Sequence, residues 1–179
     1  MISSKLPDMK LSIFAVMTKM ANEYNAINLS QGFPDFQCSE ELISLVEKYM
    51  RKGLNQYAPY EGVPALREII AEKTEKLYQR KYHRDKEINI TAGATQAIYT
   101  AISAFVKEND EVIVFEPAYD SYVPSIRING GRPIFIQMKA PDYKIDWEEV
   151  KKAINPQTRM MIINSPHNPS ATVLSEKDI

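Results

Sequence analysis

Met160-Met161-Ile162-Ile163 runs directly into Asn164-Ser165-Pro166-His167-Asn168-Pro169-Ser170-Ala171-Thr172-Val173. The apolar run is too short for a helix and dense enough for a strand buried on both faces. The prolines and asparagines that follow break the chain where the strand ends. In open α/β sheets, ligands bind at the carboxyl ends of strands. An asparagine amide placed there donates to one oxygen and accepts from a second group. A strand-to-loop turn without a ligand has the same local pattern, so the surrounding sequence decides between the two.

Upstream of this stretch, strand and helix patterns alternate. Strands are predicted at 87–91, 111–115, 132–137 and 158–163. Between them, helices are predicted at 95–106 and 119–128, and a third opens at Asp146, with Glu149 three residues on, and runs through Ile154. This alternation predicts an α/β fold with a mostly parallel sheet sandwiched by helices. Earlier in the chain, the residues before Leu11 read as an irregular arm. Ile13, Val16, Met17, Met20 and Tyr24 follow helical spacing, and a short strand is predicted at 27–29. Ser39 is placed to cap a helix whose apolar face is Leu42, Leu45, Val46 and Tyr49. A turn-rich stretch from Gly53 to Gly62 leads into a helix with Leu66, Ile69, Ile70 and Leu77 on one side.

The bulk numbers exclude several classes. Hydrophobic content of 44% and charged content of 25% describe a water-soluble globular chain, and 179 residues make one domain or one and a piece. The formal net charge is −1 and no Lys/Arg block stands out, which disfavours nucleic acid and an anionic membrane as partners. A single cysteine, Cys38, leaves no internal disulfide and fits a reducing cytoplasm. With His83 and His167 it makes no metal spacing, so no metal site is expected. No Gly-x-Ser-x-Gly elbow supports a hydrolase. Ser175-Glu176-Lys177-Asp178 reads as a helix start just before the sequence stops at Ile179, so the sequence is read as truncated.

Three further segments carry candidate chemistry. Thr91-Ala92-Gly93-Ala94-Thr95-Gln96-Ala97 joins a strand to a helix through small residues. A helix N-terminus there offers free N–H groups and a positive dipole end to a phosphate, and Thr95 adds a hydroxyl. The same pattern is equally an ordinary helix entry with Thr95 as its cap. Phe115-Glu116-Pro117-Ala118-Tyr119-Asp120-Ser121-Tyr122 follows the next strand. Tyr119 is placed where its ring can stack on a planar ligand, while Tyr122 reads better as a core or rim aromatic. In Gln56-Tyr57-Ala58-Pro59-Tyr60-Glu61-Gly62, Tyr57 has a hydroxyl of phosphate-reaching type, although the pattern alone favours a turn aromatic. His167 reads as a shape or hydrogen-bonding residue rather than a base.

Taken in order, these pieces resemble the fold-type-I, pyridoxal-phosphate-dependent aminotransferases of class I and II. The order is Ser30-Gln31-Gly32-Phe33-Pro34-Asp35-Phe36, then Gln56-Tyr57 with Glu61-Gly62 and Leu66-Arg67, then Ala92 to Ala97, Glu116-Pro117-Ala118-Tyr119 and Asn168-Pro169. His-Asn-Pro-Ser-Ala-Thr-Val resembles the methionine and kynurenine aminotransferase branch most, with Ala171 where the family normally has glycine. The resemblance spans the chain but only about the first half of a typical member. It implies residues 1–40 as the N-terminal arm and part of the small domain, and 41–179 as the first, incomplete part of the cofactor-binding large domain. It implies pyridoxal 5′-phosphate held by Ala94, Thr95, Tyr119 and Asn168, with Tyr57 reaching the phosphate of a second subunit in a homodimer. Gly32 would present its backbone to the substrate α-carboxylate, with Asn168 also facing substrate. The implied reaction moves an amino group between an amino acid, of methionine or aromatic type, and a 2-oxo acid. The family's Schiff-base lysine matches no lysine here, so the chain alone is expected to be inactive, with no catalytic residue of its own. A carbon-sulfur β-lyase shares these motifs, and an inactive fragment acting by association is the reading from another class. Similar positions in the family carry cis bonds at Glu116-Pro117 and Asn168-Pro169.

Overall fold

The computed structural model describes residues 3–32 and 34–178; Met1 and Ile2 of the arm, Phe33 of the Ser30–Phe36 stretch and Ile179 lie outside the described residues. Its helices are α1 (Ile13–Glu23), α2 (Glu40–Arg51), α3 (Pro64–Tyr78), α4 (Ala94–Phe105), α5 (Tyr122–Ile128) and α6 (Trp147–Ala153). Its strands are β1 (Glu111–Glu116), β2 (Arg132–Gln137) and β3 (Thr158–Ile162). They form one sheet in the order β2-β1-β3, with both pairs parallel.

The centre of the sheet follows from four residues. Val112, Ile113, Val114 and Phe115 are each at most 4% exposed, and successive side chains of a strand leave on opposite faces. Val112 and Val114 therefore pack with Ile102 and Val106 at the end of α4 and with Tyr122 and Ile126 of α5. Ile113 and Phe115 pack with Ile136 and Met138 and with Val150 of α6. Each such side chain contributes roughly 1.5–3 kcal/mol when fully buried. A strand flanked by partners and covered on both faces has to read as a continuous apolar run, which is why the pattern predicted a parallel sheet.

Caps set the helix starts. Asp146 accepts from the backbone N–H groups of Glu148 and Glu149 at 3.0 and 3.2 Å, as its position predicted. Glu148 and Glu149 stand in the first turn of α6 and Lys151 and Lys152 in the last, which suits the dipole. Ser39 occupies the cap position of α2, yet its hydroxyl makes no cap bond. At α1 the hydroxyl of Ser12 does accept, from Ala15 N–H at 3.2 Å. The register of β1 on β3 shifts between Glu111 and Val112, leaving Arg159 between two paired residues. Its guanidinium reaches the Asp110 carboxylate at 3.3 Å. The Lys107 backbone N–H and this guanidinium hold the Asp110 carboxyl below the ordinary carboxylate range.

Two predicted strands are not formed. At 27–29, Asn28 Oδ1 takes the backbone N–H and the hydroxyl of Ser30 at 3.0 and 2.6 Å, a local turn that competes with a ladder. At 87–91, Glu87 N–H closes a turn on His83 C=O and Ile90 N–H donates to Glu61 C=O, both at 2.9 Å, and the segment stays irregular. The helix predicted at 119–128 begins only at Tyr122, because Tyr122 N–H closes a turn on Tyr119 C=O at 3.2 Å. Residues 176–178 form a turn, with the Asp178 carboxylate accepting from the Ser175 N–H and hydroxyl.

Contacts divide the chain into two units, Met1–Leu11 with Ala92–Ile179, and Ser12–Thr91. This differs from the expected division at 40/41. The 53–91 region is tied together by α3, where Arg67 binds Gly62, Arg84 and Asp85, and it groups with α1 and α2. In the first unit, the arm residues Lys5 to Met9 share a hollow of about 290 Å³ with Val123, Pro124 and Arg127 of α5. Among the described residues, no helix is long and apolar enough to cross a membrane.

Candidate functional site

The start of α4 carries no side-chain cap. Gly93 takes the cap position with φ +95°, a conformation that residues with a Cβ rarely adopt, and a Cβ there would meet nothing within 4 Å. No acidic residue stands in the first turn of the helix. The N–H groups of Ala94, Thr95 and Gln96 therefore have no acceptor within the helix, and the positive dipole end is not offset. Residues 92–97 are all exposed. The Gln96 side chain accepts from Ala92 N–H at 2.6 Å and steadies the entry. Thr95 does not cap the helix; its hydroxyl lies 3.2 Å from the hydroxyl of Tyr119.

Tyr119 follows the carboxyl end of β1 and is half-buried. Its ring meets Tyr122 edge-on, with centroids 5.7 Å apart and planes at 73°. Tyr122 is 8% exposed and belongs to the core, as its pattern suggested. Burial, and secondarily Tyr119, pushes the Tyr122 hydroxyl pKa up.

β1 and β3 are parallel neighbours, so Tyr119 and the Asn-Pro loop follow the same ends of adjacent strands. The bonds at Glu116-Pro117 and Asn168-Pro169 are cis, as the resemblance implied; Ser165-Pro166 and Ala140-Pro141 are cis as well. Asn168 is exposed, and its N–H donates to Asn164 Oδ1 at 2.8 Å. Among the described residues its side-chain amide makes no hydrogen bond, so it is open to a ligand. Beside it, His167 is 8% exposed. Its Nδ1 lies 2.7 Å from Ser170 Oγ, and burial holds its pKa below the ordinary histidine value. These features fit the hydrogen-bonding reading of His167 rather than a base. Ala171 sits at φ +61°.

Gly32 and Tyr57 belong to the Ser12–Thr91 unit. Gly32 is exposed, with open space around it, and Tyr57 is fully exposed. Tyr57 lies on a loop that ends at a fixed point. Gly62, at φ +99°, packs so closely on Ile90 that a Cβ would lie 2.3 Å from Ile90 Cγ1. Arg67, 6% exposed, donates to the carbonyls of Gly62 and Arg84 and to the Asp85 carboxylate at 2.9–3.2 Å.

In the Ala92–Ile179 part, the donors and the ring fit a phosphorylated planar cofactor: uncapped N–H groups and a hydroxyl for the phosphate, a half-buried aromatic face, and an open amide. Sequence reasoning named Ala94, Thr95, Tyr119 and Asn168. It assigned no role to Gly93, Gln96, Asn164 or Ser170, whose parts depend on backbone angle or on a loop's internal bonds. An asparagine four residues before Asn168 was the one available signal.

Comparison with known proteins shows the family. The model of the family "Aminotransferase class I and II" matches residues 24–179. The chain is 47% identical over 175 residues to a methionine aminotransferase of Escherichia coli, covering 98% of this chain and 45% of that protein. It is 34% identical to mouse kynurenine–oxoglutarate transaminase 1, covering 90% of this chain and 41% of that one. The solved Escherichia coli structure described as having a methionine aminotransferase function superposes with a TM-score of 0.95, over 99% of this chain and 47% of that chain. N-succinyldiaminopimelate aminotransferase of Mycobacterium tuberculosis gives a TM-score of 0.93 at 33% identity, over 99% of this chain and 47% of that one. The chain thus spans about half the length of the curated relatives it matches. Enzymes of this class work with pyridoxal phosphate. By its sequence and its fold, this chain belongs to the aminotransferase class I and II family.

Proposed function

We propose that this chain is the N-terminal part of a pyridoxal-phosphate-dependent aminotransferase that moves an amino group between an amino acid and a 2-oxo acid, with methionine or an aromatic amino acid as donor. The observation that carries the reading is the 3.2 Å contact between the Thr95 and Tyr119 hydroxyls beside an uncapped helix start. It joins an anion site to an aromatic face at the carboxyl edge of a parallel sheet, where ligands of such sheets bind. The likeness at 47% identity to a methionine aminotransferase supports the donor class.

Each residue then has a task. The N–H groups of Ala94 and Thr95 and the Thr95 hydroxyl hold the phosphate. The Tyr119 ring covers one face of the pyridine and shields it from water. The Asn168 amide hydrogen-bonds the ring oxygen and fixes the ring's orientation. Gly32, with no side chain in the way, offers its backbone to the substrate carboxylate. Tyr57, fully exposed on its loop, reaches the phosphate held by a second copy in a homodimer. Pyridoxal phosphate, when bound, supplies an electron sink for charge developing at the substrate α-carbon. The protein works in the cytoplasm, which suits its single exposed cysteine, Cys38.

The chain by itself provides no lysine at the Schiff-base position and is expected to bind the cofactor without turnover. Titrating it with pyridoxine 5′-phosphate, which has no aldehyde to react with surface lysines, tests the site. Saturable binding that is lost in Thr95→Val is expected; equal binding by the variant overturns the reading. Mixing the chain with pyridoxal phosphate, methionine and a 2-oxo acid should give no more oxo-acid product than the cofactor alone.

A further inference from the structure

Within the Asn-Pro loop, neighbouring residues point in opposite senses. Asn168 is exposed and its amide is open, while His167, one residue earlier, is buried. The imidazole shares a narrow hollow with Phe115, Met138, Tyr143 and Ile163, on the α6 side of the sheet. It is not held by packing alone. Nδ1 lies 2.7 Å from Ser170 Oγ, which in turn lies 3.0 Å from Thr172 Oγ1. The His167 backbone joins the same fastening, its N–H donating to Thr172 C=O at 2.8 Å and its C=O accepting from Ala171 N–H at 2.7 Å. His167, Ser170 and Thr172 thus close a ring of bonds beneath Asn168-Pro169.

We propose that His167 is a positioning residue for Asn168: its buried ring, tied to Ser170, sets the direction in which the Asn168 amide leaves the loop. This rests on the reading of Asn168 as the residue that bonds the cofactor's ring oxygen. Two adjacent side chains share one peptide unit, so fixing the ring fixes the backbone from which the amide departs. Burial also keeps the imidazole neutral near pH 7, so it orients the loop without placing a charge beside the ring-oxygen site. An amide free to swing would lose orientation each time the ligand binds.

The test uses the 179-residue chain and pyridoxine 5′-phosphate. His167→Leu fills the hollow without the bond; His167→Asn places an amide where Nδ1 stood; Ser170→Ala removes the ring's hydroxyl partner at 2.7 Å, leaving the longer 3.4 Å approach of the Ser170 N–H, without touching the core. His167→Leu and Ser170→Ala are expected to weaken binding about tenfold, as one lost hydrogen bond does, and His167→Asn to restore most of it. In the Asn168→Ala background, His167→Leu should change affinity less than about twofold, because no amide remains to position. By hydrogen exchange, the Asn168 and Ala171 amides should open at least roughly tenfold faster in His167→Leu, with Val112 to Phe115 unchanged. Equal exchange at Asn168, no loss in Ser170→Ala, or fully additive losses with Asn168→Ala would overturn the proposal and leave His167 a packing residue. If Asn168→Ala alone leaves affinity unchanged, or the wild-type chain does not bind, the cofactor reading of Asn168 falls, and the proposal falls with it.

Discussion

The hydroxyl of Thr95, in the first turn of α4, lies 3.2 Å from the hydroxyl of Tyr119, beyond the end of β1. In the proposed reading one residue supplies an anion-binding group and the other an aromatic face, and the contact sets their spacing before any ligand arrives. Tyr119→Phe keeps the face and removes the bond. It is expected to change stability by no more than about 1 kcal/mol, since the pair is exposed to water, and to weaken pyridoxine phosphate binding. Denaturant titration beside ligand titration separates the two effects; a large stability loss would mean the bond belongs to the fold.

Ala171→Gly is expected to stabilise the chain. Ala171 sits at φ +61°, where a Cβ costs roughly 1–2 kcal/mol, and glycine's greater freedom in the unfolded chain returns part of that. A net gain of about 0.5–1 kcal/mol in urea denaturation is the expected outcome.

Gly62→Ala should be among the costliest single substitutions in the Ser12–Thr91 unit. The new Cβ would meet Ile90 Cγ1 at 2.3 Å and Ile90 Cβ at 2.5 Å, and φ +99° disfavours any side chain. Overpacking alone costs about 1–3 kcal/mol. Adding Ile90→Ala removes the Cγ1 clash but keeps the Cβ one, so it should recover only part of the steric cost and leave the backbone part.

Arg67→Met removes three hydrogen bonds from a residue that is 6% exposed. It strands the Gly62 and Arg84 carbonyls and is expected to cost roughly 2–3 kcal/mol. Arg67→Lys should cost less but not nothing, because an ammonium cannot reproduce the fork. Faster amide exchange at Gly62 and Ile90 would locate the damage.

Stability should fall as the solution is acidified through the histidine range. Burial lowers the His167 pKa in the folded chain, so the unfolded chain takes up that proton first. The contribution is whole above the ordinary value of about 6.5 and is lost as pH drops below it toward the folded value. Urea midpoints near pH 7.5 and 5.5 should therefore converge between wild type and His167→Leu at the lower pH. A constant difference would show that the ring's burial has no bearing on titration.

The sheet was legible because apolar runs bounded by turns need no partner to read: Val112 to Phe115, buried on both faces, and the half-buried cores of its neighbours, Ile134 to Ile136 and Met160 to Ile162. The α6 start was legible because Asp146 and its first-turn glutamates act locally. The segments at 27–29 and 87–91 misled because alternation says that a strand would suit, not that a ladder exists; Asn28 and Ser30 satisfied the backbone in another way. At the candidate site, Thr95, Tyr119 and Asn168 were named through order and resemblance. The bond between Thr95 and Tyr119, the cap conformation of Gly93 and the His167–Ser170 link were not, since each is set by three-dimensional placement rather than by spacing along the chain.

The four central residues of β1 also carry an instruction about alignment. One face of the strand presents two valines and the other an isoleucine and a phenylalanine. Sliding β1 by one position would drive Phe115 into the space shaped for Val114, and would leave the Glu116 carboxylate where an aromatic ring had filled the opposite layer. Such a slip exchanges the entire facing set at once. The unequal bulk of the two faces therefore acts as a key with one orientation, and strands β2 and β3 inherit their alignment from it.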